Sequence, residues 1–317
     1  MNPRFGGSSR RRFCLAAASA GALAVTACGR KRAPATAPLE ASSAGAEGPP
    51  PGSIAWAAAG DWRSPQDRAR DAWRRPVQSL QFWGLKPGDT VVEFWPGAGW
   101  YTDILAPYLA RTGGKLIAAQ FQAGASGDPA EARIMDAFRR KLAARPGLYG
   151  QPALTAFGPS SGPVAPASGA DLALFLGGIH SWMVTGIAAK AFHDAFFALK
   201  PGGVLGIEEN RAPAGGVQDV LASDGYVQEA YVKQLAAEAG FRFDAASEIN
   251  ANAKDDHHHP FGVWTLPPTR QSAPTGQPDD PKFDHAKYDA IGESDRMTLR
   301  FVKPATGGQG PARRSAG

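Results

Sequence analysis

One turn occurs twice in the chain, as Leu85-Lys86-Pro87-Gly88 and as Leu199-Lys200-Pro201-Gly202, and each copy opens onto an apolar run. Adjacent proline and glycine punctuate the chain, and the runs that follow, Thr90 to Trp95 and Val204 to Glu208, have the length and composition of strands. Between the two copies, helix-like and strand-like stretches alternate. Helices are expected over 101–111, 131–145 and 185–199, and strands over 115–121, 154–157 and 171–176. Such alternation folds as a parallel sheet with helices on both faces. The strands are apolar along their whole length, as strands covered on both sides are.

The flanks extend this layout. Ser64-Pro65-Gln66-Asp67 combines a serine cap, a first-turn proline and an acid near the positive end of a helix dipole. A second helix runs from Pro76 to Gly84, and a later one covers 226–239. The stretches 241–249 and 297–302 are expected to close the sheet as an antiparallel pair with a long loop between them. The expected fold is therefore α/β and doubly wound, a mostly parallel seven-stranded Rossmann-like sheet with a C-terminal antiparallel strand pair. It should occupy 53–304 of the 317 residues.

The ends have a different character. Ser9-Arg10-Arg11-Arg12-Phe13, an apolar run from Cys14 to Ala27 and then Val25-Thr26-Ala27-Cys28 have the order of a secretory signal, too short to span a bilayer as a helix. The arginine pair resembles a twin-arginine export signal and the last four residues resemble a bacterial lipobox. Residues 1–28 are thus expected to be a signal peptide lipidated at Cys28, with 29–52 a flexible linker, 305–317 a disordered tail and the domain outside the cytoplasm, attached to a membrane. Arg4, Arg10, Arg11 and Arg12 supply four of the five net positive charges, so the basic balance belongs to the leader and argues for no nucleic-acid partner. Cys14 and Cys28 are the only cysteines, so the domain itself has no disulfide, thiol nucleophile or cysteine metal site.

The first strand and its helix are joined through Glu93-Phe94-Trp95-Pro96-Gly97-Ala98-Gly99-Trp100-Tyr101-Thr102. A strand, a glycine turn and a helix aim backbone N–H groups and the positive helix end at a ligand. A dinucleotide fingerprint wants a third glycine where Thr102 stands, and no Gly-Lys-Ser or Gly-Lys-Thr follows for a phosphate loop, so both of those readings are disfavoured. The acid followed by Pro-Gly-Ala-Gly resembles motif I of the class I S-adenosylmethionine-dependent methyltransferase superfamily. The phrases Leu199-Lys200-Pro201-Gly202-Gly203, Ser247-Glu248-Ile249-Asn250-Ala251-Asn252, Gly262-Val263-Trp264-Thr265-Leu266-Pro267-Pro268 and Ile291-Gly292-Glu293-Ser294-Asp295-Arg296-Met297 resemble a group of predicted exported bacterial methyltransferases.

The resemblance covers roughly 61–303. It implies S-adenosylmethionine as cofactor, held around Glu93, Pro96, Gly97, Ala98 and Gly99, with Glu93 helping to orient the amino group through surrounding hydrogen bonds. Tyr101 either covers the cofactor or packs the helix start, and Gln120, at the end of the second strand, is expected to bond the ribose hydroxyls. This chain departs from the pattern at Trp95, which replaces the first glycine, and at Gln120, which replaces an acid.

Methyl transfer from a sulfonium needs a positioned nucleophile and, where that nucleophile is protonated, a base. Ligands of parallel sheets sit at the carboxyl ends of the strands. There the fourth strand continues into Leu176-Gly177-Gly178-Ile179-His180-Ser181-Trp182, which makes His180 the general-base candidate; otherwise it is a histidine that fixes its loop. Glu208 and Glu209 end the fifth strand, Arg211 follows closely, and they either bind substrate or pair with one another. For Asp255-Asp256-His257-His258-His259-Pro260 no metal is expected, because neighbours in one loop rarely converge on one ion, and the loop is expected to border the substrate mouth. The acceptor, a small molecule or another methyl acceptor, is open. So is a second reading, a non-catalytic ligand-binding protein that retains the fold.

Overall fold

The computed structural model describes residues 48–124 and 129–305. The signal peptide, lipobox, most of the linker and nearly all of the tail expected from the sequence lie outside the described residues. The fold starts with Ser53, whose side chain accepts the Trp56 N–H and caps Ile54–Ala59 (α1). Pro65–Ala69 (α2) starts as expected at Ser64, which accepts the Asp67 N–H, and is followed by Asp71–Arg74 (α3) and Pro76–Phe82 (α4). Then come Thr90–Phe94 (β1), Thr102–Thr112 (α5), Lys115–Phe121 (β2), Pro129–Ala144 (α6), Pro146–Tyr149 (α7), Ala153–Phe157 (β3) and Ala170–Leu176 (β4). Ile179–Val184 (α8), Ala188–Ala198 (α9), Leu199–Asn210 (β5), Glu229–Glu238 (α10), Arg242–Ser247 (β6), Ala286–Ile291 (α11) and Arg296–Val302 (β7) complete the chain.

The seven strands form one sheet in the order β3-β2-β1-β4-β5-β7-β6. Strands β1 to β5 pair in parallel, and β7 runs antiparallel to both β5 and β6. This is the doubly wound, mostly parallel sheet with a final antiparallel pair that the sequence alternation implied. Successive residues of each central strand serve opposite cores: Val91, Leu172 and Leu174 face one, Val92, Ala173 and Phe175 the other. Both faces being buried explains the unbroken apolar runs.

The repeated turn also finds its reason. Asp171, at the start of β4, accepts the Thr90 N–H at 2.9 Å and pairs with Lys200 at 2.6 Å, tying the two copies together at the amino ends of the strands, opposite the carboxyl ends. Gly206, inside β5, is a glycine because a Cβ there would stand 2.5 Å from the indole of Trp83, which is wholly buried and donates to the Leu299 carbonyl at 3.0 Å.

The stretch after β4 differs from expectation. The helix expected over 185–199 forms as α9, and a separate helix, α8, precedes it from Ile179, the two divided by a turn at Gly186, which has φ 71°. Burial decides this: Ile179, Trp182 and Met183 form an i, i+3, i+4 apolar face, with Trp182 packed among Phe94, Phe157 and Phe175. Strand β5 also continues two residues past Glu208, because Glu209 and Asn210 pair with Met297 and Arg296 of β7.

Candidate active site

The loop after β1 needs three left-handed backbone positions in five residues: Trp95 with φ 47°, Gly97 with 57° and Gly99 with 89°. Gly99 has a second reason, since a Cβ would lie 2.8 Å from Lys141 Nζ and 2.9 Å from the Phe138 ring. A Cβ on Gly97 would meet nothing within 4 Å, so the loop is open there. From beneath, Lys141 donates to the Ala98 carbonyl at 2.7 Å and pairs with Asp103 at 2.8 Å. Gln120 donates its amide to the Gly97 carbonyl at 2.8 Å, and its Oε1 is buried without a hydrogen-bond partner. Pro96 closes the turn by accepting the Gly99 N–H at 2.8 Å.

Glu93 lies under this loop, 1% exposed, and accepts the Thr102 hydroxyl at 2.6 Å. Thr102, the residue that spoils the dinucleotide fingerprint, therefore has a structural task. Burial pushes the Glu93 carboxyl up to about 7, against the smaller opposing effect of the Thr102 bond. A raised acid keeps its proton in the fold after the unfolded chain has lost it, so its contribution to stability is complete below the ordinary carboxylate range and is lost as pH rises to about 7. Glu93→Gln should remove that decline and gain about 2–3 kcal/mol at pH 8, read as a difference from wild type in urea unfolding at several pH values. Equal slopes in both proteins would contradict it.

Trp95 turns its ring onto Phe121, Trp182 and Phe157, at centroid distances of 4.8, 5.8 and 6.2 Å, and its indole N–H donates to the Phe157 carbonyl at 2.9 Å. It forms one wall of an apolar slot of about 240 Å³ at the ends of β2 and β3, shared with Phe121, Phe157, Pro159 and Ile187. Gln122, Glu131 and Thr185 are the polar residues that line it, and Gln122 is held by both Ser160 Oγ and the Ser160 N–H.

On the other side of the loop, beyond β4, lies a polar cavity of about 210 Å³. His180 reaches it from the first turn of α8, with its Nδ1 3.0 Å from Glu209 Oε1. Glu209 is fully buried and also accepts the N–H groups of Ile179 and Asn210 at 2.6 and 2.8 Å, so the carboxylate is fixed before it orients the ring. Arg70, Arg74 and Arg296 line the same cavity. Behind them the wholly buried Glu208 takes bonds from Arg74 at 2.9 Å, Arg296 at 2.8 Å and the Tyr101 hydroxyl at 2.8 Å, and Glu293 takes bonds from Arg70 at 2.6 Å and Arg296 at 3.1 Å. Burial alone would raise the Glu208 carboxyl, but the two guanidinium groups hold it below the usual range. Burial pushes the Tyr101 hydroxyl well up, and Glu208 adds to the effect.

The structure brings Pro96, Gly97, Ala98, Gly99, Gln120 and Glu93 together at one loop, and places His180 across β4 from it. Tyr101 sits apart: its hydroxyl is committed to Glu208. Glu208 and Glu209 do pair, though with Arg74, Arg296 and His180 rather than with each other, and Arg211 pairs with Glu248 and Asp295, each at 2.8 Å. The 255–260 loop converges more than neighbours usually do, since Asp255, Asp256 and His259 bring ligand atoms within 4.8 Å of one another. His259 Nε2 meets Asp255 at 2.8 Å. The loop neighbours the Arg211–Asp295 pair through His257, while 263–269 borders the polar cavity.

Sequence reading missed Arg70, Arg74, Arg296 and Gln122. Arg70 and Arg74 carried a signal, their i, i+4 spacing beside Trp73, whereas nothing local ties Arg296 to either.

No family model matches the sequence, and no curated protein matches it. Among solved structures, a SAM-dependent methyltransferase from Aquifex aeolicus is 21% identical over 58% of this chain and 89% of its own, with a TM-score of 0.45. The cyclase SpnF is 15% identical over 78% of this chain and 86% of its own, with a TM-score of 0.48. A Burkholderia thailandensis 1,6-didemethyltoxoflavin-N1-methyltransferase with bound S-adenosylhomocysteine is 12% identical over 75% of this chain and 84% of its own, with a TM-score of 0.42. What this chain has in common with these proteins is an α/β fold built on a mostly parallel, Rossmann-like sheet.

Proposed function

We propose that the protein is an S-adenosylmethionine-dependent methyltransferase, with the cofactor on the β1–β3 side of the sheet and the methyl acceptor in the polar cavity at β4 and β5. The observation that carries this reading is the division of the carboxyl edge: an open glycine loop beside an aromatic slot on one side, and a carboxylate-oriented histidine facing a cavity on the other.

The residues present fit the cofactor. Gly97 and Gly177 both have φ above 50° and leave open space where a side chain would stand. The slot walled by Trp95, Phe121 and Phe157 suits a flat heteroaromatic ring, and Gln122 and Thr185 offer polar atoms in its lining. When bound, the cofactor would supply an activated methyl group. The protein's part is to hold an acceptor still, exclude water with Trp264 and Pro267, and take a proton at His180 Nε2.

Calorimetry with S-adenosylmethionine and S-adenosylhomocysteine tests the proposal: both should bind, and absence of heat at millimolar ligand rejects it. Trp95→Gly, which relieves the strained backbone but removes the stacking wall, should weaken binding about tenfold or more, from base–aromatic stacking worth about 1–3 kcal/mol. A variant that binds more tightly would make Trp95 an obstruction instead.

A second reading, a ligand-binding protein that retains the fold without catalysis, is favoured by one observation. Glu93 and the amide of Gln120, both expected at the cofactor, are occupied by Thr102 and Gly97. Binding of the cofactor without turnover of any acceptor would support it. The proposal includes export and a lipid on Cys28, supported by the basic, apolar and small-residue order of 1–28. Palmitate incorporation abolished by Cys28→Ser would establish the anchor, and incorporation unaffected by it would remove the anchor.

A further inference from the structure

We propose that the cavity at the ends of β4 and β5 binds a small molecule bearing an oxyanion, a carboxylate or a phosphate, with that group placed on Arg70, Arg74 and Arg296. Calling this molecule the methyl acceptor rests on the function proposed above; the anion site itself does not.

The charges are arranged in depth. Among the residues that line the cavity, the ionisable ones are Arg70, Arg74, Arg296 and His180, and none is an acid. The acids stand behind them: Glu208 is 0% exposed, Glu293 2% and Glu209 0%. Each is spent on the rear of the site, Glu209 on backbone N–H groups and the His180 ring, Glu208 and Glu293 on the guanidinium groups. An entering molecule therefore meets cations first, and Coulomb energy falls with distance, so the nearer charges set the field.

The guanidinium groups are also held in place without being saturated. Trp100 lies under Arg70 and Arg74, at 5.7 and 4.7 Å from its ring centre. Arg74 spends Nε and Nη2 on a single oxygen of Glu208. Arg296 spends Nη1 and Nη2 on Glu208 and Glu293, and its Nε–H is buried without a hydrogen-bond partner. The site therefore keeps unspent donor capacity on its guanidinium groups, and a buried donor left unmade is costly. Planar guanidinium groups match carboxylate and phosphate oxygens in shape.

Size limits the ligand. At about 210 Å³ the cavity is smaller than most ligand sites, so the part of the ligand seated on the arginines is small. Asn210 and Ser294 are fixed to each other at 2.6 Å at its base, and Trp264 with Pro267 and Pro268 borders it.

The test uses the purified full chain at low ionic strength, without S-adenosylmethionine, titrated with inorganic phosphate and with malonate by calorimetry. In parallel, arginine modification by phenylglyoxal is located by peptide mass spectrometry. Saturable binding is expected for at least one of the two, with Arg70, Arg74 and Arg296 protected at the same ligand concentration and affinity reduced tenfold or more in Arg70→Gln. Preference for phosphate or malonate separates the two oxyanion classes. No saturable heat and no protection at about 10 mM, where a site of millimolar Kd is mostly filled, overturns the inference. Equal protection by chloride also overturns it. Should Arg70→Gln not fold, protection in the unaltered protein decides. Anion binding without cofactor binding sinks the transferase reading and leaves the site; cofactor binding without anion binding does the reverse.

Discussion

His180→Ala is expected to bind S-adenosylmethionine as the unaltered protein does and to transfer its methyl group about 10²–10⁴-fold more slowly, the usual contribution of a positioned general base. Glu209 Oε1 lies 3.0 Å from Nδ1, which places the ring proton on Nδ1 and leaves Nε2 as the acceptor. The carboxylate cannot swing away, because the N–H groups of Ile179 and Asn210 hold it from the start of α8 and the end of β5. Glu209→Gln should therefore lose rate as well, since an amide can present N–H to the ring and favour the other tautomer. Measured by single-turnover transfer with binding followed separately, an unchanged rate in His180→Ala would remove the residue from catalysis and leave it as a packing partner of Trp264, 6.0 Å away.

The largest effect on stability should come from Glu208→Ala, a loss of about 3–5 kcal/mol, which is the typical cost of deleting one member of a buried ion pair. Glu208 is fully buried and its loss strands Arg74, itself buried, together with Arg296 and the Tyr101 hydroxyl. Those three residues come from α3, β7 and the start of α5, so one carboxylate joins three elements at this edge. Its depressed pKa adds a pH signature. A lowered acid contributes stability that is present above the ordinary carboxylate range and lost as pH falls toward its folded value. Urea unfolding of the unaltered protein should thus weaken on acidification, and Glu208→Gln should show a flatter profile. A loss below about 1 kcal/mol in Glu208→Ala would mean that water replaces the carboxylate in holding the arginines.

Much of the fold was legible because it depends on periodicity and turn chemistry. The strand at 115–121 was placed to the residue, and the cap at Ser64 was found from its side chain and the proline after it. Helix α8 was not legible: Ile179 to Met183 looks like a loop after a strand until Phe94, Phe157 and Phe175 surround Trp182. The site divides in the same way. Gly97 and Gly99 announced a left-handed loop after β1, and His180 was placed after β4, where it lines the polar cavity. The resemblance gave Gln120 a ribose role, and Tyr101 was left between covering a cofactor and packing the helix start; the structure commits the Gln120 amide to the Gly97 carbonyl and the Tyr101 hydroxyl to Glu208.

The sequence by itself determined the alternation of elements, the double burial of the strands and the left-handed glycine turn, because each rests on contacts or torsions within a few residues. Only the tertiary structure decided which charges meet. Arg70 and Glu293 are 223 residues apart, and Arg74 and Glu208 are 134 apart. Such pairs leave no periodic trace, since their energy comes from burial that exists only once α2, α3, β5 and β7 have packed at the carboxyl edge of the sheet.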